Sequence, residues 1–240
     1  KELVMSTDPL PKQGQILALL DAKAGAKAAV YDQALETFNQ LKDLLSEISN
    51  DLNEALEDNP AVNSRRIKLE YRDRGKFEAE LKFADDVLLF SMHTDVFQFD
   101  RDHAVWKNAY AKGGDFNTYC GVISVYNFLS DSLKYNRTDD LGYLVARLFV
   151  NKEKFFFVEG KRQQRQKVSS FGKVVLDKNE LQEFVQSAML YSLQFDLLVP
   201  PFDMVKVATL DQINSKIEST QLKTGKRLGF KYNSDDVLEE

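Results

Sequence analysis

The sequence predicts an α+β fold, in which a long, coiled-coil-like N-terminal helix packs on a mainly antiparallel sheet and further helices follow towards the C-terminus. Three observations support this prediction. An apolar seam with helical spacing runs through residues 15–56, segments of alternating apolar and polar residues occupy the middle of the chain, and a helix-capping signal comes after them.

The long helix at residues 15–56 is the first element in the chain. From Tyr31 onward its apolar residues recur in steps of three and four, as in helices that pair with another helix. These residues are Tyr31, Ala34, Phe38, Leu41, Leu45, Ile48, Leu52 and Ala55. Residues 16–30 are apolar or small nearly all round, so we expect them to lie against the rest of the protein. We expect residues 31–55 to project away from it. The partner of the seam is a second copy, another protein or the helix predicted at residues 178–195.

Strands are predicted after the helix. Alternation at residues 67–71 and 77–83, on either side of a turn at 72–75, indicates a hairpin. The apolar run at 87–92 indicates a buried strand, which residues 96–99 would continue. Residues 144–150 and 155–158 flank a polar turn and indicate a second hairpin. Residues 119–135 suit either a helix or a strand, and we favour the helix.

The last third of the chain begins with a capping box formed by Asp177 and Glu180, which predicts a helix to about residue 195. Residues 204–208 are a predicted strand, and 209–217 a short helix. We divide the chain into a helical oligomerisation arm (1–60), an α+β domain (61–232) and an acidic flexible tail (233–240).

Composition limits the possible functions. Hydrophobic residues make up 43% of the 240 residues, enough for a sizeable core. The net charge of −5 gives no general attraction to nucleic acid or anionic membranes, so such contacts need a local basic patch. The single cysteine, Cys120, fits a reducing compartment. Because the apolar runs are too short to span a bilayer, we expect a cytoplasmic protein without membrane contact.

The sharpest catalytic pattern is Glu159-Gly160-Lys161, directly after the apolar strand at 155–158. It resembles the Glu-x-Lys half of the PD-(D/E)xK nuclease signature. The resemblance implies that Asp140, or its neighbour Asp139, and Glu159 bind Mg²⁺, and that Lys161 positions the attacking water and the phosphate. The hairpin predicts that the residue opposite Glu159 is close to Ala146.

Two further groups are candidates for ligand binding. The run at 161–167 carries four cations and no acid, which suits the phosphates of a nucleic acid or nucleotide: Lys161, Arg162, Arg165 and Lys167. A second group mixes a ring with cations and could hold a planar ring and a phosphate: Tyr126, Lys134 and Arg137. A zinc site would need both His93 and His103 together with acids nearby.

The seam is stronger than any of these catalytic patterns. The sequence therefore favours an oligomeric binding or regulatory protein, which associates through its long helix with a second copy or a helical partner protein. It would bind a phosphate-bearing ligand or nucleic acid through the basic loop. The alternative is a Mg²⁺-dependent nuclease with Asp140, Glu159 and Lys161 as its catalytic residues, and no other cofactor is expected.

Overall fold

The computed structural model describes residues 12–58, 67–138, 140–160 and 167–194. Four α-helices lie in these ranges: α1 (Lys12–Glu57), α2 (Ala109–Lys112), α3 (Ser130–Lys134) and α4 (Lys178–Ser192). Six strands accompany them: β1 (Glu70–Asp73), β2 (Glu78–Phe83), β3 (Asp86–Met92), β4 (Gly121–Leu129), β5 (Tyr143–Val150) and β6 (Phe156–Gly160). Short 3₁₀ turns lie at Ala104–Lys107 and Val168–Ser170.

The six strands form one antiparallel sheet in which each strand pairs with the next along the chain. The α+β fold with a long N-terminal helix is therefore confirmed, as are the hairpins β1–β2 and β5–β6. The helix favoured at 119–135 is wrong for most of its length, because Gly121–Leu129 is strand β4. Strand β4 pairs with β3 on one side and β5 on the other, so its backbone hydrogen bonds are satisfied in the sheet. Its β-branched residues also favour the extended conformation.

The main core lies on one face of the sheet, beneath α1 and α4. Its fully buried side chains include Phe38 and Leu45 of α1, Phe90 of β3 and Phe184 of α4. The capping box predicted for α4 is present, since the backbone N–H of Glu180 donates to Asp177 Oδ1 over 2.8 Å. A smaller aromatic cluster on the opposite face packs Phe149 and Phe157 beneath the chain between β3 and β4.

The roles predicted for the two halves of α1 are reversed. The seam residues Ala34, Phe38, Leu41, Leu45 and Ile48 are buried in the core, whereas residues 16–29 are almost all exposed. The seam pairs within the chain, with the sheet and with α4, and Lys178 Nζ lies 2.5 Å from Glu47 Oε2 between the two helices. The physical reason is side-chain size, since the bulky seam buries more apolar area than the alanine-rich first half.

The described part of the chain ends at residue 194. The strand predicted at 204–208, the helix at 209–217 and the acidic tail at 233–240 lie outside it. None of the described helices combines the length and apolarity that crossing a membrane requires.

Candidate functional site

Residues 12–29 of α1, which we call the arm, extend beyond the core. At about 1.5 Å per residue the arm is roughly 27 Å long. It leaves the core at Val30 and Ala34, which are fully buried. Gly121 of β4 marks this point, because a Cβ at Gly121 would overlap the Cβ of Ala34. The sheet therefore supports α1 from Val30 onward but not the arm before it.

One face of the arm carries an apolar stripe. Ile16, Leu19 and Leu20 are 56%, 67% and 60% exposed, and with Ala24 and the stems of two lysines they line a shallow groove of about 470 Å³. In steps of three and four, this stripe continues the row of residues that is buried further along the helix. The full row reads Ile16, Leu20, Lys23, Lys27, Val30, Ala34, Phe38 and Leu41. The arm thus presents the core-facing side of α1 to solvent.

The arm is also cationic. Its 18 residues contain three lysines, Lys12, Lys23 and Lys27, and one acid, Asp21, for a net charge of +2. The chain as a whole has a net charge of −5. The two lysines within the stripe were the signal that sequence reasoning missed, since cations in an apolar row indicate a surface that stays near water.

Glu159, the carboxylate at the end of the second hairpin, is held by two neighbours. Arg147 Nη2 lies 2.5 Å from its Oε2, and His103 Nε2 lies 3.1 Å from its Oε1. The ring of His103 stacks on Phe99, with 4.6 Å between ring centroids. In the strand register Glu159 lies opposite Arg147, one residue from the predicted Ala146. Both oxygens of the carboxylate therefore already have partners.

Asp140 belongs to a different cluster. Ser132 Oγ donates to its Oδ2 over 2.6 Å, and Arg137 Nε lies 2.9 Å from the same oxygen. The side chains of Arg137 and Asp140 are only 5% and 10% exposed. Arg137, predicted to bind ligand, thus forms a buried ion pair with Asp140 in the segment between α3 and β5.

The two proposed metal ligands are not brought together. Tyr143, at the start of β5, lies on the order of 13 Å along the strand from Arg147, the neighbour of Glu159. Asp140 precedes Tyr143 and turns towards α3. Oxygens that share one Mg²⁺ must each lie about 2.1 Å from it. These contacts give no support to a shared ion, so we do not propose the nuclease.

Of the remaining predicted ligand residues, three lie within the described ranges. Lys161, Arg162 and Arg165 lie outside the described residues, as does Asp139, and Lys167 is exposed before a 3₁₀ turn. Tyr126 is half-buried opposite Leu89 and Leu144, on the face away from the main core. Lys134 ends α3 beside Tyr135, and the hydrogen bond between them raises the pKa of Lys134.

The histidines and the cysteine have structural surroundings. His93 packs edge-on against Phe97, and its Nδ1 accepts from the backbone N–H of Asp95 over 3.0 Å, whereas His103 contacts Phe99 and Glu159. Within the described ranges no three His, Cys, Asp or Glu side chains are grouped to bind a metal ion. Cys120 is fully buried, and burial raises the pKa of its thiol.

Comparisons with protein-family models, curated proteins and solved structures found no match. The function of the chain is therefore inferred from its geometry. Of the predicted surfaces, the long helix still offers a large exposed apolar one, but on the arm rather than along residues 31–55.

Proposed function

We propose that this protein is a non-enzymatic binding protein that docks an amphipathic helix of a partner protein on its arm. The observation that supports the proposal is the exposure of Ile16, Leu19 and Leu20 on one face of a helix that extends beyond the core. An isolated helix of this length is marginal in water, and grouped apolar side chains on a surface are typical of interaction sites.

A helix suits this surface better than a strand or loop. The exposed residues follow steps of three and four, the spacing by which the side chains of two helices pack together. The arm continues a helix whose later turns are buried in the core, so its backbone is already ordered where α1 leaves the sheet. Because the backbone is already ordered there, binding a partner costs less conformational entropy.

The charge favours an acidic partner over a second copy. Two copies would bring arms of net charge +2 together, and parallel pairing along the stripe places Lys23 of one arm near Lys23 of the other. A partner helix with Glu or Asp beside its apolar stripe would instead meet Lys23 and Lys27 with opposite charge. Oligomerisation remains a prediction, and it is one outcome of the test below.

Binding of a phosphate-bearing ligand or nucleic acid by the loop at 161–167 also remains a prediction, because most of that loop lies outside the described residues. A cytoplasmic location remains a prediction as well.

Two designed peptides test the proposal. Each has about 21 residues, the same leucine stripe and a fluorescent label, and the stripe is flanked by Glu in one and by Lys in the other. In anisotropy titrations of the full chain we expect the acidic peptide to bind about tenfold tighter or more. Leu20→Asp should weaken this binding by about tenfold, because it places a carboxylate in the stripe.

Ala18→Asp is the matched control, since it adds the same charge to the opposite side of the arm and should change affinity by less than about twofold. Equal binding of the two peptides, or equal effects of the two substitutions, would contradict the proposal. Sedimentation equilibrium measures whether a second copy of the chain binds to the arm instead. A wild-type dimer that Leu20→Asp dissociates would make a second copy the partner and the proposed one wrong.

A further inference from the structure

A cleft lies at the β1 edge of the sheet, far from the arm. Its volume is about 520 Å³, and it is lined by residues between 46 and 53 of α1, by β1 and the two residues before it, by residues of β2 and β3, and by α3. Small-molecule sites in proteins have volumes of roughly 300–1,000 Å³. The cleft is therefore large enough for a small ligand and too small for a folded polynucleotide.

Cations outnumber acids in this cleft. Its two acids are Glu70 and Glu80, and its four cations are Lys68, Arg72, Lys82 and Lys134. The lining thus has a net charge of +2, in a chain whose net charge is −5. A concave surface of one sign concentrates ions of the other sign.

The two acids are engaged by neighbouring cations. Glu80 is buried, with Arg72 Nη1 2.9 Å from its Oε1 and Arg74 Nη1 2.8 Å from its Oε2. This contact raises the pKa of Arg74. Glu70 Oε1 lies 3.3 Å from Lys82 Nζ. Glu80 therefore holds the guanidinium group of Arg72 at the cleft, while Arg74, which is not part of the lining, contacts the other oxygen of the same carboxylate.

Lys68 and Lys134 supply the remaining charge. Among the described residues no carboxylate lies within ion-pair distance of either ammonium group, and both side chains are exposed. Lys68 lies just before β1, and Lys134 is the last residue of α3. An anion bound between these two lysines would be contacted from two sides.

We infer that this cleft binds a small phosphate-bearing anion that carries two or more negative charges. Lysines act as point charges for phosphate oxygens, and an arginine held by a carboxylate is already oriented to donate. Hydroxyl and amide groups of Ser46, Asn50 and Ser130 complete a lining able to donate hydrogen bonds. The site is independent of the arm, and it contains one predicted ligand residue, Lys134.

Calorimetric titration of the full chain with orthophosphate, pyrophosphate and triphosphate at constant ionic strength tests this inference. Affinity should rise with the charge of the anion. A Lys68→Gln/Lys134→Gln double variant should lose about tenfold in pyrophosphate affinity or more. The matched control is Lys107→Gln/Lys112→Gln, which removes the same charge from exposed positions outside the cleft and should change affinity by less than about twofold.

The inference is overturned if none of the three anions binds, or if the cleft variant and the control variant lose affinity equally. It is also overturned if Arg162→Gln/Arg165→Gln abolishes binding that the cleft variant retains, since the anion would then bind at the basic loop. Circular dichroism of each variant confirms that the fold is retained. Each of these three outcomes leaves the peptide binding expected of the arm unaffected.

Discussion

Asp73 shows how one side chain joins the first hairpin to α1. Its Oδ1 lies 2.9 Å from Lys42 Nζ and accepts from the backbone N–H of Gly75 over 2.8 Å. Gly75 has a φ of 108°, a conformation that glycine adopts readily, and its carbonyl accepts from Lys42. The hydrogen bond from Lys42, followed by that from Gly75, lowers the pKa of Asp73.

This lowered pKa predicts a pH dependence of stability. Because the carboxyl group titrates below its ordinary pKa of 3.8 in the folded chain, its contribution is complete above that value and is lost as the pH falls through the folded-state pKa. Asp73→Asn should therefore lower the free energy of unfolding at pH 7, and its difference from wild type should shrink below about pH 4. Urea denaturation across this range measures both effects.

Asp115→Asn is a control for this prediction, because Asp115 is exposed in the segment between β3 and β4. It should change stability little at any pH. A difference between Asp73→Asn and wild type that stays constant from pH 7 to strongly acidic conditions would contradict the role given to Lys42 and Gly75.

At the residue scale, sequence reasoning selected candidate charges but not their partners. Glu159 and Asp140 were both recognisable as acids near predicted strands. Their partners, His103 for Glu159 and Ser132 for Asp140, come from other segments, 56 and 8 residues away. Such pairings depend on how the segments pack, which no local pattern encodes.

The two halves of α1 differ in what each contributes to stability. Phe38 is fully buried against the sheet, whereas Leu19 is 67% exposed. Phe38→Ala should lower the free energy of unfolding by about 3–5 kcal/mol, because it removes apolar contacts and leaves a cavity. Leu19→Ala should change it by less than about 0.5 kcal/mol. Chemical denaturation of both variants checks this, and equal losses would contradict the division of the helix.

At the element scale, periodicity predicted the two hairpins, and the capping box of Asp177 and Glu180 predicted α4. These elements depend on local chemistry. Strand β4 was missed because its apolar residues fit both periods, and only its two neighbours in the sheet decide between them. The halves of α1 were reversed because composition alone does not show where the sheet ends.

At the scale of the whole molecule, α1 joins the two proposed surfaces. The stripe of the arm ends near Lys27, and the cleft begins near Ser46, about 28 Å further along the helix. Each surface has an excess of two positive charges in a chain of net charge −5. Because the surfaces are separate, a partner helix and a small anion could be bound at the same time.

Hydrogen–deuterium exchange of the full chain, alone and with the acidic peptide, tests the central claim most directly. In the free protein we predict that amides of residues 12–29 exchange roughly a hundredfold faster than those of residues 34–48, because only the latter are buried in the core. The acidic peptide should slow exchange in the arm. Arm amides that are as protected as the core in the free monomer, or that exchange unchanged with saturating peptide, would contradict the claim.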